Sequence, residues 1–246
     1  MLAHHTGMRT TSRLRVRTAA LLGTVVTVAL LTVGVAPAPA SAPAAPARCS
    51  AGNVALTFDD GPSPTVTPRL VRLLRRHHVP ATFFMTGERV RAHPEVARLV
   101  ARRGFTVANH TETHAKLTEL GRAEVRREVR ATWRALRAAG VHHASRYVRP
   151  PYGATDARVE RVLRGLGAVP VLWTVDSRDW DGLSPAGIRR TTLAQVFARG
   201  TAGSVVLHHD GVTNSEATLA ALPSEIYRLR REGYCLVGLP RAGVLS

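Results

Sequence analysis

Two adjacent aspartates could take part in metal chemistry with two histidines further along the chain. Residues 57–61 read Thr-Phe-Asp-Asp-Gly and follow an apolar run. Like charges this close raise the pKa of one carboxyl unless a positive group neutralises them. His110 and His114 have the spacing that places two ligands on one face of a helical turn. Asp60 would complete an Asp-His-His set typical of catalytic zinc, with one position open for water, and Asp59 would remain free as a base.

A cationic partner for that base is available in residues 149–153, Arg-Pro-Pro-Tyr-Gly. Arg149 could pair with Asp59 and hold its carboxylate ionised. The alternative is a rigid proline-rich turn, although a turn does not require the arginine. Gly61 permits a tight turn after the two aspartates, so that their side chains need not alternate strictly.

A general acid is the other group that such a site needs. Asp179 could orient and charge a histidine, which raises the histidine's pKa, while Trp180 would form a pocket wall. The alternative for this segment is a polar loop with one core tryptophan. The histidine would be His208 or His209, which strand alternation places on opposite sides. The residues alone leave that choice open.

The elements that would position these groups alternate between strand and helix patterns, which predicts a parallel sheet with helices outside. Seven strand-like runs favour a distorted (β/α) barrel over a doubly wound open sheet, whose dinucleotide glycine fingerprint is absent. The polar residues follow the runs, at the strand ends where barrels carry their chemistry. The predicted strands are 54–58, 81–86, 105–109, 146–149, 169–175, 204–209 and 234–239. The predicted helices are 66–77, 94–103, a segment between Gly121 and Gly140, 155–165, 185–198 and 216–231.

The N-terminal region has the pattern of a secretory signal. Arginines precede an apolar stretch, and Ala38-Pro39-Ala40 resembles a cleavage motif. We therefore expect a signal peptide over 1–40, a short leader over 41–52, a single domain over 53–246, and a secreted protein. An uncleaved membrane anchor is the alternative, although the apolar run is slightly short for a span.

The formal net charge is +17. A nucleic-acid binder is disfavoured, because no nucleic-acid motif is present and the chain is predicted to be exported. The arginines fall largely on predicted helix faces, which indicates solvated surfaces. Attraction to an anionic surface such as a cell wall is the functional alternative.

Cys49 and Cys235 are the two cysteines. Export into an oxidising compartment makes a disulfide plausible, with two free buried thiols as the alternative. Cys49 precedes the first predicted strand and Cys235 lies in the last one, and these strands would be neighbours in a closed sheet. By the chain-entropy model, such a bridge would stabilise the fold by about 4–5 kcal/mol.

From residue 53 to residue 239 the chain resembles the NodB-homology polysaccharide deacetylases of carbohydrate esterase family 4. Five segments carry the resemblance, and their order matches the family's motifs. They are 57–61 (Thr-Phe-Asp-Asp-Gly), 110–114 (His-Thr-Glu-Thr-His), 149–153 (Arg-Pro-Pro-Tyr-Gly), 176–180 (Asp-Ser-Arg-Asp-Trp) and 207–209 (Leu-His-His). Each is weak singly, but together and in order they are specific.

The resemblance implies a role for each motif residue. Asp59 would be the general base, oriented by Arg149, and Asp60, His110 and His114 would bind a divalent metal, most simply Zn²⁺. The Leu-x-His form of the last motif assigns the acid to His209, tuned by Asp179. The backbone N–H of Tyr152 would stabilise the oxyanion. Pro151, Tyr152, Trp180 and Leu207 would contact the substrate.

The function that the resemblance implies is removal of N-acetyl groups from an N-acetylglucosamine polymer such as peptidoglycan or chitin oligosaccharides. An acetylxylan O-acetyl esterase is the alternative, and a non-catalytic glycan-binding protein on the same fold is a further one. A polysaccharide substrate, no nucleic-acid partner and a monomer are expected.

Overall fold

The computed structural model describes residues 49–239. The predicted signal peptide and residues 41–48 of the predicted leader lie outside the described residues. Within the described residues, no helix is both long enough and apolar enough to cross a membrane.

The strands are β1 Gly52–Gly61, β2 Ala81–Met85, β3 Thr106–Asn109, β4 Tyr147–Val148, β5 Val169–Pro170, β6 Val175–Asp176, β7 Ser204–His209 and β8 Tyr234–Leu236. The α-helices are α1 Thr67–Arg76, α2 Gly87–Ala92, α3 Pro94–Arg102, α4 Arg122–Ala138, α5 Ala157–Gly165, α6 Pro185–Arg199 and α7 Ser215–Arg231.

All strand pairs are parallel, in the order β5-β4-β3-β2-β1-β7-β6, and β8 pairs with β1 off this path. The edge strands β5 and β6 follow each other along the chain, with only residues 171–174 between them. That connection spans at most about 18 Å, whereas the edges of a flat sheet of seven strands would lie about 29 Å apart. The sheet therefore curls into a distorted, incompletely closed barrel, as predicted.

The alternation of side chains along the strands separates two parts of the core. On β2, Phe83 and Met85 belong to the large cluster beneath the helices, while Phe84 belongs to a small cluster with Tyr147 and Val171. The small cluster fills the inside of the curled sheet. Asp59 and Arg149 are also buried, and the Arg149 guanidinium carbon lies 4.1 Å from the Phe84 ring centroid. The polar side chains of Asp59 and Arg149 thus lie inside the barrel, next to the small apolar cluster that contains Phe84.

The prediction of one strand over 169–175 is wrong. The segment forms two short strands, because residues 171–174 cross the gap between the sheet edges. Two backbone carbonyls of this crossing bond a side chain instead of a strand ladder: Val171 accepts from Arg149 Nε at 3.2 Å, and Leu172 accepts from Arg149 Nη2 at 3.4 Å. The short helix α2 was also not predicted. It lies directly between β2 and α3, and it contacts α4.

The disulfide between Cys49 and Cys235 is confirmed, with Cα atoms 5.2 Å apart. The two cysteines lie close together for a different reason from the predicted pairing of first and last strands in a closed sheet. Strand β1 lies in the middle of the sheet, and β8 pairs with its first three residues, which places Asn53 opposite Cys235. The bridge therefore joins the chain that enters the central strand to the last strand.

Removing this disulfide should destabilise the fold strongly. The two cysteines are separated by 186 positions, and the chain-entropy model gives about 5 kcal/mol for a loop of that length. We expect the Cys49→Ser/Cys235→Ser variant to lose most of that free energy of unfolding in urea titrations at constant metal concentration. The reduced wild-type protein is the matched control, because it should fall by a similar amount. A variant as stable as the oxidised protein would contradict the prediction.

Candidate active site

Eight of the predicted catalytic, metal-binding and substrate-binding residues line one pocket of about 530 Å³ at the carboxyl ends of the central strands. Strands β1 and β7 contribute in register, with Asp59 opposite His209, so that both side chains emerge on the same side of the sheet. The residues that line the pocket are Asp59, Asp60, His110, His114, Tyr152, Trp173, Asp176, Trp180, Leu207, His209 and Val212.

Asp60, His110 and His114 converge on one point. One ligand atom from each lies within 4.8 Å of the others. Oδ1 of Asp60 lies 3.3 Å from Nε2 of His110 and 3.2 Å from Nε2 of His114. Asp60 has a positive φ of 69°, which turns its carboxylate out of strict strand alternation and toward the two imidazoles. The three residues predicted as ligands are thus brought together.

The two histidines do not lie on a helical turn, so that part of the prediction is wrong. Residues 110–114 form an irregular bend, with φ of 66° at Thr111 and 58° at His114. The side chain of Asn109 stabilises the bend, since its Oδ1 accepts from the Thr111 N–H at 2.8 Å. The spacing of four residues brings the imidazoles together through this bend rather than through helical geometry.

The chemistry of these three groups fits a divalent cation. Oδ1 of Asp60 is buried and has no hydrogen-bond partner within residues 49–239. Burial opposes ionisation of Asp60, but the imidazole of His110 outweighs it and the pKa of Asp60 is lowered. Burial also lowers the pKa of His114, which favours the neutral, metal-binding form. For His110, burial is outweighed by Asp59 and Asp60, which raise its pKa and indicate an excess of negative charge that a cation would neutralise.

Asp59 is held by a buried ion pair. Nη1 of Arg149 donates to Oδ1 of Asp59 at 2.7 Å and to Oγ1 of Thr57 at 2.8 Å. Arg149 is completely buried. Burial lowers its pKa, and the carboxylate of Asp59 counteracts that effect. Because an arginine side chain is not deprotonated in proteins, the guanidinium is charged beside Asp59.

His209 and Asp179 form the second pair. Nδ1 of His209 lies 2.7 Å from Oδ1 of Asp179, and the His209 backbone N–H donates to the other oxygen at 2.8 Å. The hydroxyl of Thr218 also donates to that oxygen, at 2.7 Å. Burial acts to lower the pKa of His209, but the hydrogen bond and charge of Asp179 outweigh it and raise the pKa to about 9. His209 therefore carries a proton at neutral pH.

His208 points away from the pocket. It is completely buried, its ring stacks on Phe58 with centroids 5.6 Å apart, and its Nε2 lies 3.1 Å from Oε1 of Glu225. The alternation of β7 thus gives the two histidines different surroundings. Of the pair that the residues alone left open, His209 is the one that faces the pocket.

Apolar side chains surround the polar centre unevenly. Leu207 is buried at the base, whereas Trp180 and Tyr152 are 51% and 68% exposed at the rim. Tyr152 has a positive φ of 60°, and within residues 49–239 its N–H donates to no acceptor, while the next two N–H groups bond Pro150 and Pro151. That N–H is free for a ligand. Pro151 is buried and does not line the pocket.

Some pocket residues were missed. Trp173 lies in the segment predicted as a buried strand, and Val212 lies in the loop after β7, so neither position carried a signal in the sequence.

A buried carboxyl behind the pocket was also missed. Asp210 is 1% exposed and accepts a hydrogen bond from the Thr67 hydroxyl. Burial raises the pKa of Asp210 to about 7. Its position directly after His209 was the only available indication.

Comparisons with known proteins agree with this geometry. A model of a family described as polysaccharide deacetylase matches residues 48–171. A chitooligosaccharide deacetylase of Sinorhizobium fredii is 38% identical over 201 residues, which cover 78% of this chain and 92% of the relative. A peptidoglycan-N-acetylglucosamine deacetylase of Bacillus cereus is 34% identical over 190 residues, with 76% and 67% covered.

A solved structure shares the fold. The family 4 carbohydrate esterase from Streptomyces lividans, in complex with acetate, superposes with a TM-score of 0.70 at 35% identity. The match covers 79% of this chain and 97% of that one. The matched length is greater than that of the family model, which ends at residue 171.

Proposed function

Because this chain belongs to the polysaccharide deacetylase family, carbohydrate esterase family 4, we propose that it is an exported, metal-dependent enzyme that removes N-acetyl groups from N-acetylglucosamine polymers. The observation that carries this proposal is the joint placement of a base, an acid and a three-ligand cluster around one pocket. A divalent cation, for which we propose zinc, would be held by Asp60, His110 and His114, and when bound it supplies positive charge that polarises the acetyl carbonyl and activates water.

We assign proton abstraction to Asp59. Its carboxylate lines the pocket and is fixed by Arg149 at 2.7 Å, which keeps one oxygen in place and leaves the other, Oδ2, facing the ligand cluster 3.6 Å from Nε2 of His110. As water attacks the acetyl carbon, Asp59 accepts the water's proton. The buried guanidinium holds the carboxylate in position for that step.

The tetrahedral oxyanion would be stabilised by the free N–H of Tyr152. Loss of one such donor costs on the order of 3 kcal/mol in the transition state. His209 then gives its proton to the departing nitrogen as the C–N bond breaks, and acetate and a free amine result. Asp179 keeps the imidazole oriented, with Nδ1 engaged and Nε2 available to the substrate.

The protonated acid favours an amide substrate over an ester. An amine is a poor leaving group unless it is protonated, whereas an alkoxide needs less help, so the elevated pKa of His209 is most useful for N-acetyl groups. The relatives named for chitooligosaccharide and peptidoglycan deacetylation support the same choice. The acetylxylan O-acetyl esterase is kept as the second candidate, because the rim residues Trp180 and Tyr152 could contact either sugar.

The deciding experiment compares acetate release from chitin oligosaccharides, peptidoglycan and acetylxylan with and without a chelator. We expect release from the first two, abolished by chelation and restored by zinc. Release from acetylxylan alone would favour the esterase. No release with any substrate, despite stoichiometric zinc, would favour a non-catalytic glycan-binding protein, and salt-dependent DNA binding without deacetylation would favour a nucleic-acid binder.

Export and a monomeric state belong to the same proposal. The disulfide supports an oxidising compartment, and we place the cleavage of the signal peptide after Ala40. Sequencing the N-terminus of the protein recovered outside the cell tests cleavage, and its mass in solution tests the monomer.

A cationic cleft on the helical layer supports association with an anionic wall polymer. The cleft, of about 690 Å³, lies between α1 and α3 with Val71 and Leu99 among its lining residues. Its arginines are Arg72, Arg75, Arg76 and Arg103, and none of them has an acidic partner within residues 49–239. Guanidinium groups suit phosphate oxygens, to which they can donate two parallel hydrogen bonds. The partner we propose is a phosphodiester-bearing polymer.

Neutralising this cleft should weaken binding to inorganic polyphosphate. For the Arg72→Gln/Arg75→Gln/Arg76→Gln variant we expect the dissociation constant to rise about 5- to 30-fold, as three partly screened charge contacts are lost. The matched control removes the same charge from α4 in the variant Arg126→Gln/Arg130→Gln/Arg134→Gln. These three side chains are exposed and do not line the cleft. Equal weakening in both variants would indicate a net-charge effect and would reject the cleft as the binding surface.

A further inference from the structure

The turn between the two histidines of the cluster is bonded from two sides. On one side, the first N–H groups of α2 bond its carbonyls: Gly87 donates to Thr111 O at 3.0 Å, and Glu88 donates to Glu112 O at 3.1 Å. The turn lacks helix or strand hydrogen bonds of its own. Its conformation is therefore imposed by neighbouring elements.

On the other side, one carboxylate of α4 accepts three hydrogen bonds from the turn. Oε2 of Glu128 accepts from the N–H groups of Glu112 and Thr113, both at 2.9 Å, and Oε1 accepts from the Thr113 hydroxyl at 3.1 Å. Glu128 is 8% exposed and has no cationic partner within the described part of the chain. A buried carboxylate is costly unless several donors satisfy it, so this residue is specialised for the turn.

The two histidines differ in how much they depend on that turn. His110 is anchored separately, since its N–H donates to Met85 O at 2.9 Å and its Nδ1 lies 2.8 Å from Arg149 O. His114 follows the turn and is partly exposed, and apart from the ligand cluster its ring contacts Tyr152, with centroids 4.8 Å apart. Its position relative to Asp60 is therefore set mainly by the turn.

We propose that Glu128 is a positioning residue for the metal site: it fixes the turn over residues 111–113 and so holds His114 in place before the ion binds. This inference rests on the proposed function, since it takes Asp60, His110 and His114 as ligands. Residues that orient ligands typically contribute 10- to 100-fold to metal affinity, because a displaced ligand must be reordered when the metal binds.

A purely structural role for Glu128 would give a different result. It would lower the stability of the metal-free protein and leave the affinity of the folded site unchanged. The experiment therefore measures both quantities on the full-length, metal-stripped protein: the zinc dissociation constant, by competition with a chromophoric chelator, and urea unfolding. His114→Ala serves as the benchmark for complete loss of that ligand.

We expect a graded series. Glu128→Leu, which has no acceptor, should weaken zinc binding by about 10- to 100-fold. Glu128→Gln should stay within about threefold of wild type, because one amide oxygen can still accept both N–H groups and the amide NH₂ can donate to the Thr113 hydroxyl. The matched control is Glu124→Leu on the same helix. Glu124 accepts from the Gly121 N–H at 2.9 Å and does not contact the turn, so its loss should lower stability but leave zinc affinity unchanged.

If Glu128→Leu does not fold, zinc affinity is measured on Glu128→Asp instead. This variant keeps the charge, but its side chain is one methylene shorter, so its carboxylate lies further from the turn. A weakening of zinc binding by severalfold supports the proposal. Wild-type zinc affinity in a folded Glu128→Leu, or otherwise in Glu128→Asp, overturns it. Absence of stoichiometric zinc binding by the wild-type protein would instead reject the metal site of the proposed function, so the two failures are distinguishable.

Discussion

Replacement of Asp59 by asparagine is expected to remove nearly all deacetylation while zinc stays bound. Asparagine keeps the shape and one acceptor oxygen for Arg149, but it cannot accept a proton from water. General-base catalysis contributes about 10²- to 10⁴-fold, and we expect kcat for chitin oligosaccharides to fall by that factor. Metal content by elemental analysis should remain that of the wild type, because the three proposed ligands are unchanged.

The same variant should be less stable, and this effect must be separated from lost catalysis. Arg149 would stay buried without its counter-charge, and breaking a buried pair on one side costs about 3–5 kcal/mol. Activity is therefore compared at a temperature where urea titration shows that the variant is folded. Asp181→Asn is the matched control: that carboxylate is exposed and pairs with Arg178. Near-normal turnover of Asp59→Asn would reject the assigned base.

The placement of the site could be predicted from the sequence because parallel strands impose it. When strands alternate with helices, their carboxyl ends lie on one side of the sheet. The polar residues that follow these strands must then meet, whatever the details of the loops. Asp59 and His209 illustrate this, since they occupy paired positions on neighbouring strands. The motif order adds the assignment of roles, which the strand pattern alone cannot supply.

The loops could not be predicted in the same way, because their conformations depend on distant partners. The bend over 110–114 forms several of its hydrogen bonds with α2 and α4, and residues 171–174 form some of theirs with Arg149. The helix, strand and turn propensities of nearby residues do not predict such contacts. The sequence predicts a strand at Trp173 for the same reason, since an apolar run does not reveal that its backbone crosses a gap between sheet edges.

The pocket contains two different electrostatic environments, one around Asp60 and one around His209. Beside the imidazoles the pKa of Asp60 is lowered, so the ligand cluster contains a carboxylate. Beside Asp179 the pKa of His209 is raised to about 9. Titratable groups whose surroundings shift their pKa values in opposite directions are typical of sites that need both an acid and a base. The separation depends on Asp179, which is buried, and burial is something that the sequence motif alone does not show.

Replacement of His209 by glutamine should impair catalysis in a way that depends on the leaving group. Glutamine can still donate a hydrogen bond to Asp179 but cannot deliver a proton to the departing nitrogen. We expect kcat for N-acetylglucosamine oligomers to fall by about 10²- to 10⁴-fold. For 4-nitrophenyl acetate, whose leaving group departs as an anion without protonation, the loss should be less than about tenfold. Rates of acetate and nitrophenolate release provide the two measurements.

The pH dependence gives an independent check on this assignment. A raised pKa means that His209 holds its proton below a value of about 9 and loses it as the pH rises through that value. Wild-type amide hydrolysis should therefore decline on the alkaline side, and His209→Gln should lack that limb. Asp59→Asn is the matched control, because loss of the base should slow amide and ester alike. If His209→Gln slowed both substrates equally, the histidine would act through the ligand cluster or the oxyanion instead of protonating the amine, and the preference for N-acetyl over O-acetyl substrates would lose its physical basis.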